Sequence, residues 1–446
     1  MIKKGKRHIC MIAGVLTVVL ALTSCNTAQV NVENEYLNPP VSGITTDDTL
    51  NSTHEEITQE LISMVNHNPE LKGMLEKSIA LAKEINPDKK TNPAQTLEEY
   101  YEYVDWAAKA LPWAILPDAP ENYPKLYDQI DQSIDYFYFI NDQPLEELDG
   151  KGFYNNSIQY VEPYRSWLIN FTAQYGQYLS TTDSWSDEYY QAVKEDESFD
   201  LNGDTYESPD NWKTFNQFFA RYLSSPDKRP IASKEDGSVV VSPADSHPQG
   251  VWDIDENSNI VHEEGVNIKS GVFTSVEALL GDSEYKTAFA NGTLTHTFLD
   301  VNDYHRYHFP VGGVIKEVSI IPGDDAAGGI TKWDPEKNKY ILQAREPGWQ
   351  MIETRGCVVV ETEEYGLVAI LPIAMSQVSS VCFEDTVREG ATVEKGDMLG
   401  CFLFGGSDIV MLFQDGVDFE MTVPKTEEYE HIRTGEEYGV FSKKKG

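Results

Sequence analysis

Residues with chemical capacity gather in three short stretches: Asp245 behind Ser242-Pro243-Ala244, His305 and His308 three apart, and Ser407 behind Gly405-Gly406. Hydroxyl, imidazole and carboxylate are the ingredients of a hydrolase triad. Residues 405–409 are nevertheless no GxSxG elbow, and no helix is readable after them, so an intact serine hydrolase is disfavoured. Each stretch also has a plain reading. Asp245 could cap a turn, Gly-Ser is ordinary hairpin chemistry, and an HxxH pair could be a surface pair, a core pair or a metal site. A metal lacks support, because neither Cys nor acidic residues stand near the pair at ligand spacing. In a regular strand, positions i and i+3 face opposite sides, so the two histidines reach one pocket only through a bulge or turn. Asp253, Asp255, Asn257, Asn259 and Glu264 fall on EF-hand spacing, but Ser258 stands where that loop needs glycine. The stretch reads as a polar hairpin turn. Cys357, Cys382 and Cys401 lack CxxC spacing and lie in apolar, strand-like runs, as small core residues do; three thiols allow at most one internal disulfide.

The elements that must carry these residues have two textures. Ile57, Leu61, Met64 and Val65 recur at helical spacing, and Leu71, Met74, Leu75 and Ile79 repeat the pattern. Further amphipathic stretches cover 97–111, 126–140 and 158–179. Residues 53–213 therefore read as a helical domain whose many aromatics sit at core spacing. The region is acidic: 26–213 holds 35 Asp and Glu against 11 Lys and Arg. From 214 the chain turns to short β-branched runs between Gly, Asp and Asn, at 238–241, 313–321, 357–361, 367–373 and 409–413. Gly390 and Gly396 bracket a two-strand turn that looks like the hammerhead of carrier-type barrel-sandwich domains. The expected fold class is α+β, a mainly helical N-terminal domain followed by a β-rich domain over 214–446.

Length and charge set outer bounds. A chain of 446 residues exceeds the roughly 250–300 that one core supports. With 40% hydrophobic and 11% aromatic residues, wholesale disorder is excluded. A net charge of −38 argues against nucleic acid, whose phosphates need Lys and Arg to replace counterions, and against loose docking on anionic lipid. At the N-terminus, Lys3, Lys4, Lys6 and Arg7 precede an apolar run over 9–22, short of the ~20 residues a membrane span needs. Leu22-Thr23-Ser24-Cys25 follows and resembles the lipobox of bacterial lipoproteins. That resemblance implies a signal peptide over 1–24, a diacylglycerol on the Cys25 sulfur, and a flexible tether over 25–52. An ordinary signal peptide with a coincidental cysteine is the plainer alternative. Loss of the four basic residues takes the charge from −38 to −42. The mature chain is then expected in the bacterial cell envelope, extracytoplasmic and lipid-anchored to membrane.

Four segments of the second half matter together. The first is Phe215-Asn216-Gln217-Phe218-Phe219-Ala220-Arg221 with Arg229-Pro230-Ile231, and the second is Ser242-Pro243-Ala244-Asp245. The third joins Asn291-Gly292-Thr293, Asp303-Tyr304-His305-Arg306-Tyr307-His308 and Pro322-Gly323-Asp324. The fourth is Leu399-Gly400-Cys401-Phe402 with Gly405-Gly406-Ser407. In this order they resemble the phosphatidylserine decarboxylase family. The resemblance implies a proenzyme (zymogen) that makes its cofactor from its own backbone. Ser407 attacks the Gly406 carbonyl, the resulting ester eliminates, and the chain splits between 406 and 407. A β part ends at Gly406; an α part of 40 residues, 407–446, begins with a pyruvoyl group and stays associated. The resemblance makes His308 the base, Asp245 its orienter, and His305 the group that returns a proton to the substrate. These residue types suit the tasks: glycine tolerates strain, serine needs a base, and the base gains from a carboxylate. In turnover a primary amine would form a Schiff base with the pyruvoyl ketone, which takes up electrons as CO₂ leaves.

The chain departs from the family pattern at Ser246, where Gly is common, at Asp408, where Thr is common, and at the extra Gly405. The run 370–375 is apolar where the family has a glycine-containing segment. Asp408 puts a carboxylate beside the reacting bond, which could disfavour an anionic substrate or slow processing. The first substrate expected is phosphatidylserine, giving phosphatidylethanolamine. The alternative is a free, aromatic L-amino acid, favoured by the acidic surface, the extracytoplasmic address and an extension without an apolar docking face. A third reading is a catalytically inactive binding lipoprotein, which would have no need of Asp245, His305, His308 and Ser407 together.

Overall fold

The structure is a computed structural model, which describes residues 54–116, 118–153, 155–261, 274–323, 329–375, 380–405 and 408–444. The expected leader, Cys25 and tether lie outside the described residues, as do Gly406, Ser407, Glu264 and Asp324.

Among the described residues, seven helices form the N-terminal part: α1 (Glu56–His67), α2 (Pro69–Ile85), α3 (Leu97–Ala107), α4 (Ala119–Asn122), α5 (Leu126–Asn141), α6 (Tyr164–Tyr178) and α7 (Asp187–Glu195). Two short ones follow, α8 (Phe215–Phe219) and α9 (Val276–Leu280). Ile57, Leu61 and Val65, then Leu71, Leu75 and Ile79, are buried as their spacing requires. Asn68 caps α2 by accepting the Leu71 N–H at 3.1 Å, and Thr96 caps α3 by accepting that of Glu99 at 3.2 Å. The helix expected from 158 begins instead at Tyr164, behind Pro163. Proline disfavours helical backbone in the residue before it, so 158–160 form only a single 3₁₀ turn.

The β-rich part holds β1 (Val239–Val241), β2 (His247–Asp253), β3 (Thr293–Phe298), β4 (Arg306–His308), β5 (Gly313–Ile321), β6 (Ile330–Asp334), β7 (Lys339–Gln343) and β8 (Arg355–Glu361). It continues with β9 (Leu367–Ile373), β10 (Val381–Phe383), β11 (Thr392–Val393), β12 (Met398–Phe402), β13 (Asp408–Phe413), β14 (Val417–Met421) and β15 (Glu437–Lys443). The main sheet runs β11-β5-β8-β9-β13-β3-β2, and smaller sheets are β10-β12-β4, β1-β15-β14 and the hairpin β6-β7. Every residue of β13 is buried. Ile409, Met411 and Phe413 feed one hydrophobic cluster, Val410 and Leu412 the other, which is why the run is apolar on both faces.

Turns follow their chemistry. Asp255 accepts the N–H groups of Asn257 at 2.9 Å and Asn259 at 2.7 Å, while Ile254 bridges Ile260, so the EF-hand-like spacing is spent on a polar hairpin turn. Gly390 and Gly396, at φ 76° and 87°, flank β11. The three described cysteines are free thiols, and the β10–β12 register sets Cys382 opposite Cys401.

The two parts are joined through α5. Gln132 donates to the Tyr340 carbonyl at 2.8 Å and accepts its N–H at 2.6 Å, and Asp142 accepts the Thr331 N–H at 2.9 Å. The β6-β7 hairpin thus docks on a helix. One buried cluster runs from Ile57 through Phe215 and Phe219 to Phe441. The architecture is α+β, with a helical N-terminal region and a β-rich C-terminal part. Among the described residues no helix is long and apolar enough to cross a membrane.

Candidate active site

Asp245 lies in a stretch pinned on both sides by backbone. The Ser242 N–H donates to the Glu436 carbonyl at 2.8 Å, and Ser246 exchanges backbone bonds with Ile432. The buried carboxylate accepts from Arg229 Nε at 2.9 and 3.2 Å, from the Thr434 N–H at 2.9 Å and from Thr434 Oγ1 at 3.0 Å. Burial opposes ionisation here, but the guanidinium and the two Thr434 donors outweigh it and hold the carboxyl below the usual carboxylate range. Ser246, the first departure from the family pattern, is absorbed as a buried hydroxyl accepting from Thr297 Oγ1 at 2.6 Å.

His308 ends β4. Its Nδ1 lies 2.8 Å from the Gly396 carbonyl, which can only accept, so Nδ1 carries the proton and Nε2 is the basic nitrogen. The Tyr304 hydroxyl stands 3.3 Å from Nε2. Burial lowers the His308 pKa, against the Gly396 carbonyl and the Asp245 charge, which raise it. The hydrogen bond expected between Asp245 and His308 is not among the described contacts. The Gly396 carbonyl orients the ring, and Asp245 acts on it only through its field.

His305 has different surroundings. It is fully buried, its ring stacked on Phe219 with centroids 3.7 Å apart. Nδ1 donates to the Asp303 carbonyl at 3.0 Å, leaving Nε2 as a buried basic nitrogen with no partner among the described residues. Burial, with the Arg221 charge adding, pushes its pKa well below the ordinary histidine value. The i, i+3 conflict dissolves because His305 precedes β4, and because the β12–β4 register shifts between Met398 and Gly400.

The loop before residue 406 is fixed by α8. Thr214 caps that helix, accepting the Gln217 N–H at 3.2 Å, and Asn216 accepts the Phe404 N–H at 3.2 Å. Phe404 meets Phe219 edge-on at 5.4 Å, so the Phe219 ring touches both the His305 ring and the loop. The Phe402 N–H donates to the His305 carbonyl at 2.8 Å. Gly405 has φ 101°, a left-handed conformation that explains the extra glycine. Beyond the gap Asp408 opens β13, fully buried, accepting from Gln350 Nε2 at 3.0 Å with His296 Nδ1 at 3.2 Å. Its carboxyl group is thereby held by its own partners. A cavity of about 70 Å³ lies beside Gly405, lined by Phe219 and Phe404 on one side and by α5 on the other.

Asp245 and His308 therefore occupy one corner, and His305 is stacked on Phe219. Gly406 and Ser407 lie outside the described residues. Sequence reasoning gave no role to Arg229, although it stood inside a quoted motif, and could not see Thr434, which is 189 positions from the carboxylate it serves. It also missed the α5 wall, whose signal was present: Asp135 falls on the buried stripe of a helix.

A family model described as phosphatidylserine decarboxylase matches residues 215–440. Phosphatidylserine decarboxylase proenzyme 2 of Oryza sativa subsp. japonica is 32% identical over 258 residues, 57% of this chain and 38% of that protein. Decarboxylase iboD of Amanita muscaria is 30% identical over 268 residues, 54% of this chain and 73% of the relative. The phosphatidylserine decarboxylase proenzyme of Alcanivorax borkumensis is 31% identical over 228 residues, 49% of this chain and 73% of the relative. The chain thus spans well under half of the rice protein and about three quarters of the other two.

Proposed function

The chain belongs to the phosphatidylserine decarboxylase family, and we propose that it is a self-processing, pyruvoyl-dependent decarboxylase of an amine-bearing carboxylate. One observation carries the reading: the buried Nε2 of His305, without a partner among the described residues and one aromatic ring away from the loop that reaches Gly405. The surroundings suit a pyruvoyl group derived from Ser407, since they offer a proton-handling nitrogen, apolar ring walls and a glycine turn. That group, once formed, supplies a ketone that captures a primary amine and draws off electrons as CO₂ leaves.

The side chains supply the remainder. His308 Nε2, kept basic by its Nδ1–H bond to Gly396, is the atom to take the Ser407 hydroxyl proton. Asp245 favours the imidazolium so formed through its charge. In turnover, His305 Nε2 takes the proton that an incoming ammonium must lose and returns it to the α-carbon. Phe219 holds that ring in place and excludes water from it.

The relatives' names make phosphatidylserine the first substrate reading, with phosphatidylethanolamine as product. A free L-amino acid is a second reading, favoured by the cavity beside Gly405, which among the described residues offers a phosphodiester no Lys, Arg or His. The lipid anchor on Cys25 and the envelope address belong to the same proposal and rest on residues 3–25. Intact-mass measurement of the purified protein tests the reading. Two chains dividing before residue 407 are expected, the smaller lighter than a serine start by one ammonia, with the split abolished by Ser407→Ala. A single uncut chain would overturn it.

A further inference from the structure

Helix α5 turns Asp131, Ile134, Asp135 and Tyr138 toward the cavity beside Gly405, the i, i+3, i+4, i+7 spacing of a single stripe. Asp300 adds a third carboxyl, and among the described residues no Lys, Arg or His lines the space. The rest of the wall is largely apolar and includes Phe219, Leu342 and Phe404. Asp135 is the anomaly. It is 5% exposed and has neither hydrogen-bond nor ion-pair partner among the described residues. Burial, with Asp131 and Asp142 nearby, pushes its carboxyl well above the usual range. Buried polar groups ordinarily find partners, and one that lines a cavity without any is a group awaiting a ligand. Its position is not loose, because Gln132 bonds α5 to both backbone groups of Tyr340.

Across the cavity, Phe219 carries the His305 ring and Phe404 leads to Gly405. A substrate reacting at the end of that loop has this space for its side chain. We propose that the cavity receives the side chain of a free amino acid, an apolar stem ending in an N–H or O–H donor, and that Asp135 selects it. The inference rests on the decarboxylase reading above. Among the described residues the wall offers no Lys, Arg or His to hold the charge of a phosphodiester, which disfavours that substrate. A donor-tipped side chain meets a carboxyl oxygen of Asp135 that has no partner among the described residues, and a site built this way penalises the analogue lacking the donor.

The test uses pairs that differ only in the terminal donor, tyrosine against phenylalanine and lysine against norleucine, together with phosphatidylserine vesicles. CO₂ release is followed with the processed full-length protein. Binding of the same four amino acids to uncut Ser407→Ala protein is measured by calorimetry, which reads the cavity without turnover. The donor-bearing member of at least one pair should be favoured by about tenfold or more in kcat/KM and in Kd. Asp135→Leu and Asp135→Ala should each erase that preference while still splitting, which an intact-mass check confirms. Equal use of both members of each pair overturns the inference, as does a preference that survives both variants. Turnover of vesicles without any amino acid overturns it but leaves the decarboxylase standing. Absence of both the split and CO₂ removes the decarboxylase reading and the inference with it.

Discussion

Asp245 owes its charge to Arg229 and Thr434, and the three form a buried unit that must be kept or lost together. Asp245→Ala strands the guanidinium in the interior, and breaking a buried pair from one side costs about 3–5 kcal/mol. A urea unfolding series should show that loss as a lower midpoint, and a midpoint equal to wild type would mean that Arg229 finds water instead. The proposed roles separate the histidines by task. His308→Gln removes the proposed base and should leave the chain uncut. His305→Gln should split normally but release CO₂ slower by roughly 10²–10⁴-fold, the usual worth of a positioned proton carrier. Gel analysis beside a CO₂ assay decides the matter, and a His308→Gln protein that still splits would take the base role from that residue. At Gly405 a Cβ would meet a left-handed backbone, at roughly 1–2 kcal/mol, so Gly405→Ala should slow the split measurably.

Among the elements, α5 has a double function. It docks the β6-β7 hairpin through Gln132 and Asp142, and it exposes carboxyl groups to the cavity. A carboxyl whose folded pKa is raised keeps a proton that the unfolded chain releases above pH ~4, so folding loses stability as pH climbs from there toward the folded value. Burial and the neighbouring Asp131 and Asp142 raise Asp135 in this way. Asp135→Asn cannot ionise and escapes that loss. Its melting temperature should therefore exceed the wild-type value by more at pH 8 than at pH 5, as scanning calorimetry would record. A constant difference would mean that Asp135 is already ionised in the folded protein. β13 makes the complementary point. It is buried on both faces between β9 and β3, so the segment that follows the expected break is held by six residues of two-sided pairing. After a split its anchorage would persist, as the expected association of the two chains requires.

At the scale of the whole molecule, one hydrophobic cluster crosses from the helices into the sheet, through Phe215, Phe218 and Phe219 packed near Trp185 and Tyr189. A fragment holding only 214–446 would expose that surface. It should show no cooperative thermal transition by circular dichroism and no split by mass, whereas a fragment that melts cooperatively and cleaves itself would prove the sheet autonomous. Much of this was legible beforehand. Helical spacing in Ile57–Leu61–Val65 and alternation or continuous apolarity in 313–321 and 367–373 express local physics, the period of a helix and the two faces of a strand. The four ordered motifs named the family for the same reason, because chemistry restricts residue types at short range. Pairings across long stretches of chain were not legible. Thr434 on Asp245, the Gly396 carbonyl on His308 and Asp135 facing Gly405 depend on where distant backbones cross, and no local propensity encodes that distance. Residue types and their order were fixed by sequence. Which carbonyl holds a proton in place, which carboxyl is paired, and which is left to face a ligand were decided only by tertiary packing, since burial and proximity arise there.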